Sequence, residues 1–169
     1  MNRKLVAIAV TILLAAIGVT TALATPALGT IAANLFARGT FVQPVFAYSD
    51  GIALITDETT DHAVQEITFG PGSSSGWHTH PGVVLVTVKS GTLTRYHSDC
   101  SSDTVSAGQT FFETGGITAG LLDRGLNLGG HAGVVRNEGT VPVVLYVTYI
   151  VPTGAPLRID RPNPGCAVN

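Results

Sequence analysis

The sequence predicts an all-β sandwich or barrel, on three observations. From residue 38 onward the apolar segments are short, and turn residues recur between them about every eight to twelve positions. The segments are rich in β-branched and aromatic residues. No stretch beyond the N-terminal one keeps a helical period with caps. The twenty glycines and nine prolines that supply the turns follow no Gly-X-Y period, which excludes a collagen-like chain. With 45% hydrophobic and 12% charged residues, the chain is not a disordered, solvating polymer. Its 169 residues suffice for one domain with a short appendage. Nine basic residues stand against eleven acidic ones, with no basic run longer than Arg3-Lys4. That leaves no electrostatic footprint for nucleic acid.

The elements follow in chain order. Residues 1–24 read as a signal peptide: Arg3-Lys4 is the positive region, an apolar helix-forming stretch follows, and Ala22-Leu23-Ala24 has the small-x-small form of a cleavage site. The alternative is an uncleaved anchor, since residues 5–24 are long enough to span a bilayer. Either reading sends the remainder across the membrane, secreted or anchored with the domain outside. Removing residues 1–24 takes two of the nine basic groups and none of the eleven acidic ones, leaving a net charge of −4. Residues 25–37 carry no charge and no clear period, and read as a leader or linker.

Residues 38–152 form the predicted barrel. Strands are expected at 64–69, closed by Gly70-Pro71-Gly72, and at 83–88, closed by Ser90-Gly91. The segment 93–96 follows at once, which makes 89–92 a hairpin turn. Further strands fall at 109–113 and 134–136. The strongest is 141–151, with Val141, Val143, Leu145, Val147, Tyr149 and Val151 on one face. Pro142 limits its first residues to an edge or an entry point. The tail, 153–169, is proline-rich and should wrap as an extended arm. Cys100 and Cys166 are the only cysteines, and in an oxidising compartment they suggest one bridge from the tail to a loop of the domain, two free thiols being the alternative.

The stretch Gly76-Trp77-His78-Thr79-His80-Pro81-Gly82 carries the chemistry. On a strand, residues i and i+2 share a face, so His78 and His80 present two imidazoles to one space. That pattern suits a divalent first-row ion, against the plain alternative of two solvent-facing polar residues. Glu113, at a strand end, is either a base or supporting group beside the site or a solvated turn carboxylate. Trp77 and Tyr96 either line the pocket mouth or pack in the core. His62 and His97 sit in polar contexts and read as surface residues. Residues 117–128 read as a lid over the barrel mouth or a surface loop. No nucleophile elbow or phosphate-binding glycine loop is present.

At this stretch the chain resembles the cupin superfamily. The first cupin motif is a glycine, five residues, His-x-His, three or four residues, a glutamate, six residues and a glycine. Gly72, His78, His80 and Gly91 fit it, and the glutamate position falls on Val84. The second motif starts acceptably at Gly108 and Gly116, but residues 117–128 then intervene before Gly129-Gly130-His131. The run from His131 to Gly139 is similar to small secreted cupins of actinobacteria, in which two histidines alternate ahead of Arg-Asn-Glu-Gly. His131 fits the first histidine, and Gly133 occupies the second, the expected ligand. The resemblance implies a six- to eight-stranded jelly-roll barrel with the site inside, and by fold analogy a homodimer. It implies His78, His80 and His131 as ligands for zinc, iron, manganese or nickel beside a pocket for a small molecule. Whether the protein is an enzyme stays open at this stage. A metal-dependent oxygenase- or isomerase-like activity and a metal-free structural or interaction barrel are the two alternatives to a binding module.

Overall fold

The computed structural model describes residues 23–114 and 132–168. The export segment through residue 22, the 117–128 insertion and His131 lie outside the described residues. In chain order the strands are β1 (Ile31–Phe41), β2 (Phe46–Ser49), β3 (Ile52–Ile55), β4 (Thr60–Phe69), β5 (His78–Thr79), β6 (Val83–Ser90), β7 (Thr92–Tyr96), β8 (Ser102–Ser106), β9 (Thr110–Thr114), β10 (Val134–Arg136), β11 (Val143–Pro152) and β12 (Ile159–Asp160). Among the described residues no helix is long and apolar enough to cross a membrane.

One sheet runs β1-β4-β11-β6-β9 and the other contains β10-β7-β8. The pair β12-β5 attaches to β10 through the antiparallel bridges Ser74↔Arg136 and His78↔Gly133. Joined in this way, β4-β11-β6-β9 and β5-β10-β7-β8 are the two four-stranded sheets of a jelly roll. The expected all-β jelly-roll fold is the observed one. β11 holds it together because its sequence alternates cleanly: Val143, Leu145, Val147, Tyr149 and Val151 are all buried. They share one apolar cluster with Val84, Val86 and Val88 of β6 and with Leu93, Val105 and Val135 of the opposite sheet. Each valine or leucine so buried contributes about 2 kcal/mol of transfer free energy. Pro142 stands just before the strand, where its missing N–H costs the ladder nothing.

Two local expectations are corrected. β6 and β7 do not form a hairpin: β6 pairs with β11 and β9, β7 with β10 and β8. Gly91 turns the chain from one sheet to the other at φ +83°, and a Cβ there would sit 2.9 Å from a Val143 methyl. Two apolar runs around a glycine look the same in sequence whether they pair or turn a corner. The stretch 25–37 is no leader either. Its second half is in β1, which pairs with β4 from Ile31↔Phe69 to Phe41↔Thr60. Its first half crosses the His-x-His segment so closely that a Cβ on Gly76 would lie 2.4 Å from the Thr25 carbonyl. The lack of charge and period hid both roles. After β1, the β2–β3 hairpin exposes Phe46, Tyr48, Ile52 and Ile55 to solvent.

The proline-rich tail wraps back over β5. Ile159 and Asp160 pair with Thr79 and His78, and the Arg161 amide donates to the Trp77 carbonyl at 2.8 Å. Cys166 is disulfide-bonded to Cys100, with their Cα atoms 5.3 Å apart.

Asp61 fastens β1, β4 and the tail at the far end of the sheet. Its carboxylate accepts from the Thr40 hydroxyl at 2.7 Å, Arg38 Nε at 2.8 Å and the Gly154 amide at 3.0 Å. The Thr40 and Gly154 hydrogen bonds, then Arg38, hold its pKa down at about 2. A depressed carboxylate pKa adds stability that is present above the unfolded value of 3.8 and lost as pH falls toward 2. Asp61→Asn should therefore lower the melting temperature at pH 7 by several degrees. The gap to the parent protein should narrow steadily between about pH 4 and pH 2, read from thermal melts across that range.

Candidate metal centre

The site is built on β5 and the turn before it. His78 lies in β5 and His80 one residue beyond it, so the alternation of an extended chain sends both rings the same way. They are almost fully buried, with ring centroids 5.0 Å apart and planes at 88°. Each ring is locked from behind by its Nδ1. The His78 Nδ1–H donates to the Gly76 carbonyl at 2.9 Å, and the His80 Nδ1–H donates to the Leu157 carbonyl at 2.6 Å. A carbonyl only accepts, so both Nδ1 atoms carry the proton and both Nε2 atoms face the shared space. The Ser75 hydroxyl steadies the turn by donating to the Gly76 carbonyl at 2.9 Å and accepting from the Val135 amide at 3.0 Å.

The third group is Glu113, on β9. Its Oε2 lies 3.1 Å from His80 Nε2 and 3.9 Å from His78 Nε2. One ligand atom from each of His78, His80 and Glu113 falls within 4.8 Å of the others. Burial opposes ionisation of Glu113, but hydrogen bonds and charge from the two imidazoles overcome it and hold the carboxyl well below the usual range. Burial likewise opposes protonation of His80, and Glu113 together with the Leu157 carbonyl outweighs it, raising the imidazole's pKa. Without a metal, His80 and Glu113 are thus a charge-assisted pair. Burial, and then the Glu113 charge, push the neighbouring Tyr149 hydroxyl up out of the titrating range.

The three groups open onto a cavity of about 300 Å³. Its wall is mostly apolar, with Ile67, Phe69, Phe111, Val135, Leu145 and Val147 among the lining residues.

The structure places the sequence-derived candidates as follows. His78 and His80 share one space, and Glu113 is no solvated turn group: it stands against His80, where its carboxylate could be a third donor or a supporting base. Val84, where the expected carboxylate is missing, is the register partner of Glu113 across the sheet. His131 lies outside the described residues. Trp77 and Tyr96 do not line the cavity. Trp77 alternates with His78, so it faces the other way, into a cluster with Val134 and Cys166 where its Nε1–H donates to the Val168 carbonyl at 3.0 Å. Tyr96 packs against that cluster and donates its hydroxyl to Glu138 at 2.6 Å. Sequence reasoning passed over Tyr149, Gln65 and Arg158, which also line the cavity. The inward alternation of β4 and β11 was the only available signal for the first two.

Gly133 sits beside this centre. It exchanges two backbone hydrogen bonds of 2.9 Å with His78, so a side chain there would stand next to the His78 ring on the same face. Among the described residues, a Cβ at this position meets only the Tyr96 carbonyl, at 3.6 Å, an ordinary contact. Gly133→His should therefore add a fourth ligand and tighten zinc binding by about tenfold or more, measured by competition with a chromophoric chelator.

No family model matches the chain, and no curated protein matches it. Solved structures do. The chain is similar to the cupin domain of an XRE-family transcriptional regulator from Enterobacter cloacae, at 20% identity over 53% of this chain and 80% of that one, TM-score 0.38. It is similar to an uncharacterised protein with a double-stranded β-helix domain from Klebsiella pneumoniae, at 18% identity over 70% of this chain and 85% of that one, TM-score 0.44. It is also similar to a recombinant oxalate oxidase crystallised with glycolate, at 21% identity over 54% of this chain and 45% of that one, TM-score 0.39.

Proposed function

We propose that this protein is an exported cupin-type barrel that binds a divalent transition metal through His78, His80 and Glu113 and receives a small molecule in the adjoining cavity. One observation carries the reading. Three donor atoms converge within 4.8 Å, and both imidazoles are held from behind through Nδ1, so that each turns its Nε2 toward the shared space where an ion would displace the His80–Glu113 proton. Two imidazoles and one carboxylate are the donor set of non-haem iron sites and of catalytic zinc, so the residues fit zinc, iron, manganese or nickel. The carboxylate motif position that Val84 leaves empty is therefore no obstacle. The disulfide supports export, because such bonds persist in oxidising compartments.

A metal-dependent enzyme is the second reading, favoured by the open side of the centre. Three protein ligands facing a cavity leave coordination positions for water or substrate, as in catalytic sites and unlike closed structural ones. An ion held there would polarise a bound oxygen or lower the pKa of a bound water. Tyr149 stays protonated beside it, its hydroxyl donating to Gln65 at 2.9 Å, and is placed to orient a ligand.

The test is equilibrium metal binding by the purified mature protein after chelator treatment. One equivalent of zinc, iron, manganese or nickel taken up by the parent protein and not by a His78→Ala variant supports the reading. No uptake by the parent, with His78→Ala equally stable, leaves the metal-free structural barrel.

A further inference from the structure

The cavity has two unlike halves. One is an apolar chamber formed by β4, β6, β9, β10 and β11, closed on one side by Ala27, Ile31 and Ala33 from the N-terminal segment and β1. The other gathers nearly all the polar groups: His78, His80, Glu113, Tyr149, Gln65 and Arg158. A ligand that fills both must have an apolar body and a single polar head, because among the described residues no second polar cluster lines the far end.

The sign of the head follows from charge. A divalent ion on two neutral imidazoles and one carboxylate leaves one positive charge at the centre. Arg158 adds a guanidinium from the tail. Its Nε is engaged by Asp160 at 2.5 Å, on a carboxylate whose side chain is half exposed, so that pairing is weakened by solvent. The other guanidinium nitrogens remain as donors in a fork suited to a carboxylate. Gln65 adds to the set: its carbonyl oxygen accepts from the Tyr149 hydroxyl, which leaves the amide NH2 as a donor. A cationic head would meet the ion and Arg158 unfavourably, and a neutral one would accept from these donors only through weaker hydrogen bonds that leave the positive charge unmatched.

We propose that the cavity binds a small carboxylate with an apolar body, its head held between the metal centre and Arg158. This deepens the metal-centre reading and rests on it for part of the head-group charge. Arg158 is a specificity residue that sorts ligands by sign, and the N-terminal segment, by walling the chamber, sets the length of the body.

The experiment uses octanoate, octanol and octylammonium as matched probes. Each is titrated calorimetrically into the mature protein, once loaded with zinc and once after chelator treatment. Octanoate should bind the zinc form at least about tenfold tighter than either other probe, the scale of a charge-assisted hydrogen bond. Arg158→Gln, on a partly exposed side chain, should erase most of that preference while zinc affinity stays unchanged. Ala33→Trp, on an exposed edge strand, should plug the chamber and exclude all three probes with zinc still bound. Octanol binding as well as octanoate, or a preference that survives Arg158→Gln, overturns the proposal. Failure of the metal reading shows separately, as no zinc uptake by the parent protein. In that event the chelator-treated titration decides the carboxylate claim on Arg158 alone, a lost preference contradicting it.

Discussion

His80→Ala is expected to weaken zinc binding by roughly 100-fold. Structural zinc binding is worth about 10–16 kcal/mol over four ligands, so one ligand's share is about 3 kcal/mol. Glu113→Gln should cost a similar amount, since an amide oxygen is a poorer ligand than a carboxylate. His62→Ala, on an exposed position of β4, should change nothing and serves as the control. The loss at His80 should exceed a mere ligand's share in one respect. Its removal strands the Leu157 carbonyl that holds the tail over β5, so the variant should also exchange amide hydrogens faster through residues 157–161. If His80→Ala and Glu113→Gln both bind zinc as the parent does, the three groups are only a buried ion-pair cluster.

The second large effect is on stability. Replacing Cys100 and Cys166 together by serine opens a loop that spans 66 residues. In the chain-entropy account such a closure is worth about 4 kcal/mol. For a domain of this size that corresponds to a fall in melting temperature of about 10–15 °C, read by calorimetry with and without reductant. The bridge pins the end of the tail beside Trp77, whose buried indole caps the cluster under the His-x-His strand. The metal centre should nevertheless keep its affinity within about tenfold, because β12 still pairs with β5 and Arg38 still donates to the Ala155 carbonyl at 2.8 Å. A reduced protein as stable as the oxidised one would contradict this role for the bridge.

What could be read from the residues was whatever depends on local alternation. The inward face of β11 and the shared direction of His78 and His80 both follow from a period of two, which survives in any sheet. The same rule applied to Trp77 places it opposite His78, away from the cavity. The carboxylate was hidden because it is a matter of register. Glu113 reaches the imidazoles only because β9 pairs with β6 so that residue 113 lies opposite residue 84, and no local pattern states which strands will pair. Searching near the histidines along the chain looked for it on the wrong strand. β1 was missed for a related reason. As an edge strand exposed along nearly its whole length, with only Ile31 partly buried against the core, it has too little buried face to impose a period on its sequence. Arg158 came from a tail whose prolines correctly suggested an extended arm, while its position beside the cavity depends on the two-residue pairing of β12 with β5.

The most direct test of the metal-centre claim is anomalous diffraction from zinc-loaded crystals, recorded on both sides of the zinc edge. A single edge-dependent peak should appear at about 2.0–2.2 Å from His78 Nε2, His80 Nε2 and a Glu113 oxygen, with its remaining side open to the cavity. A peak elsewhere, or none while His80 and Glu113 stay in direct contact, would contradict it.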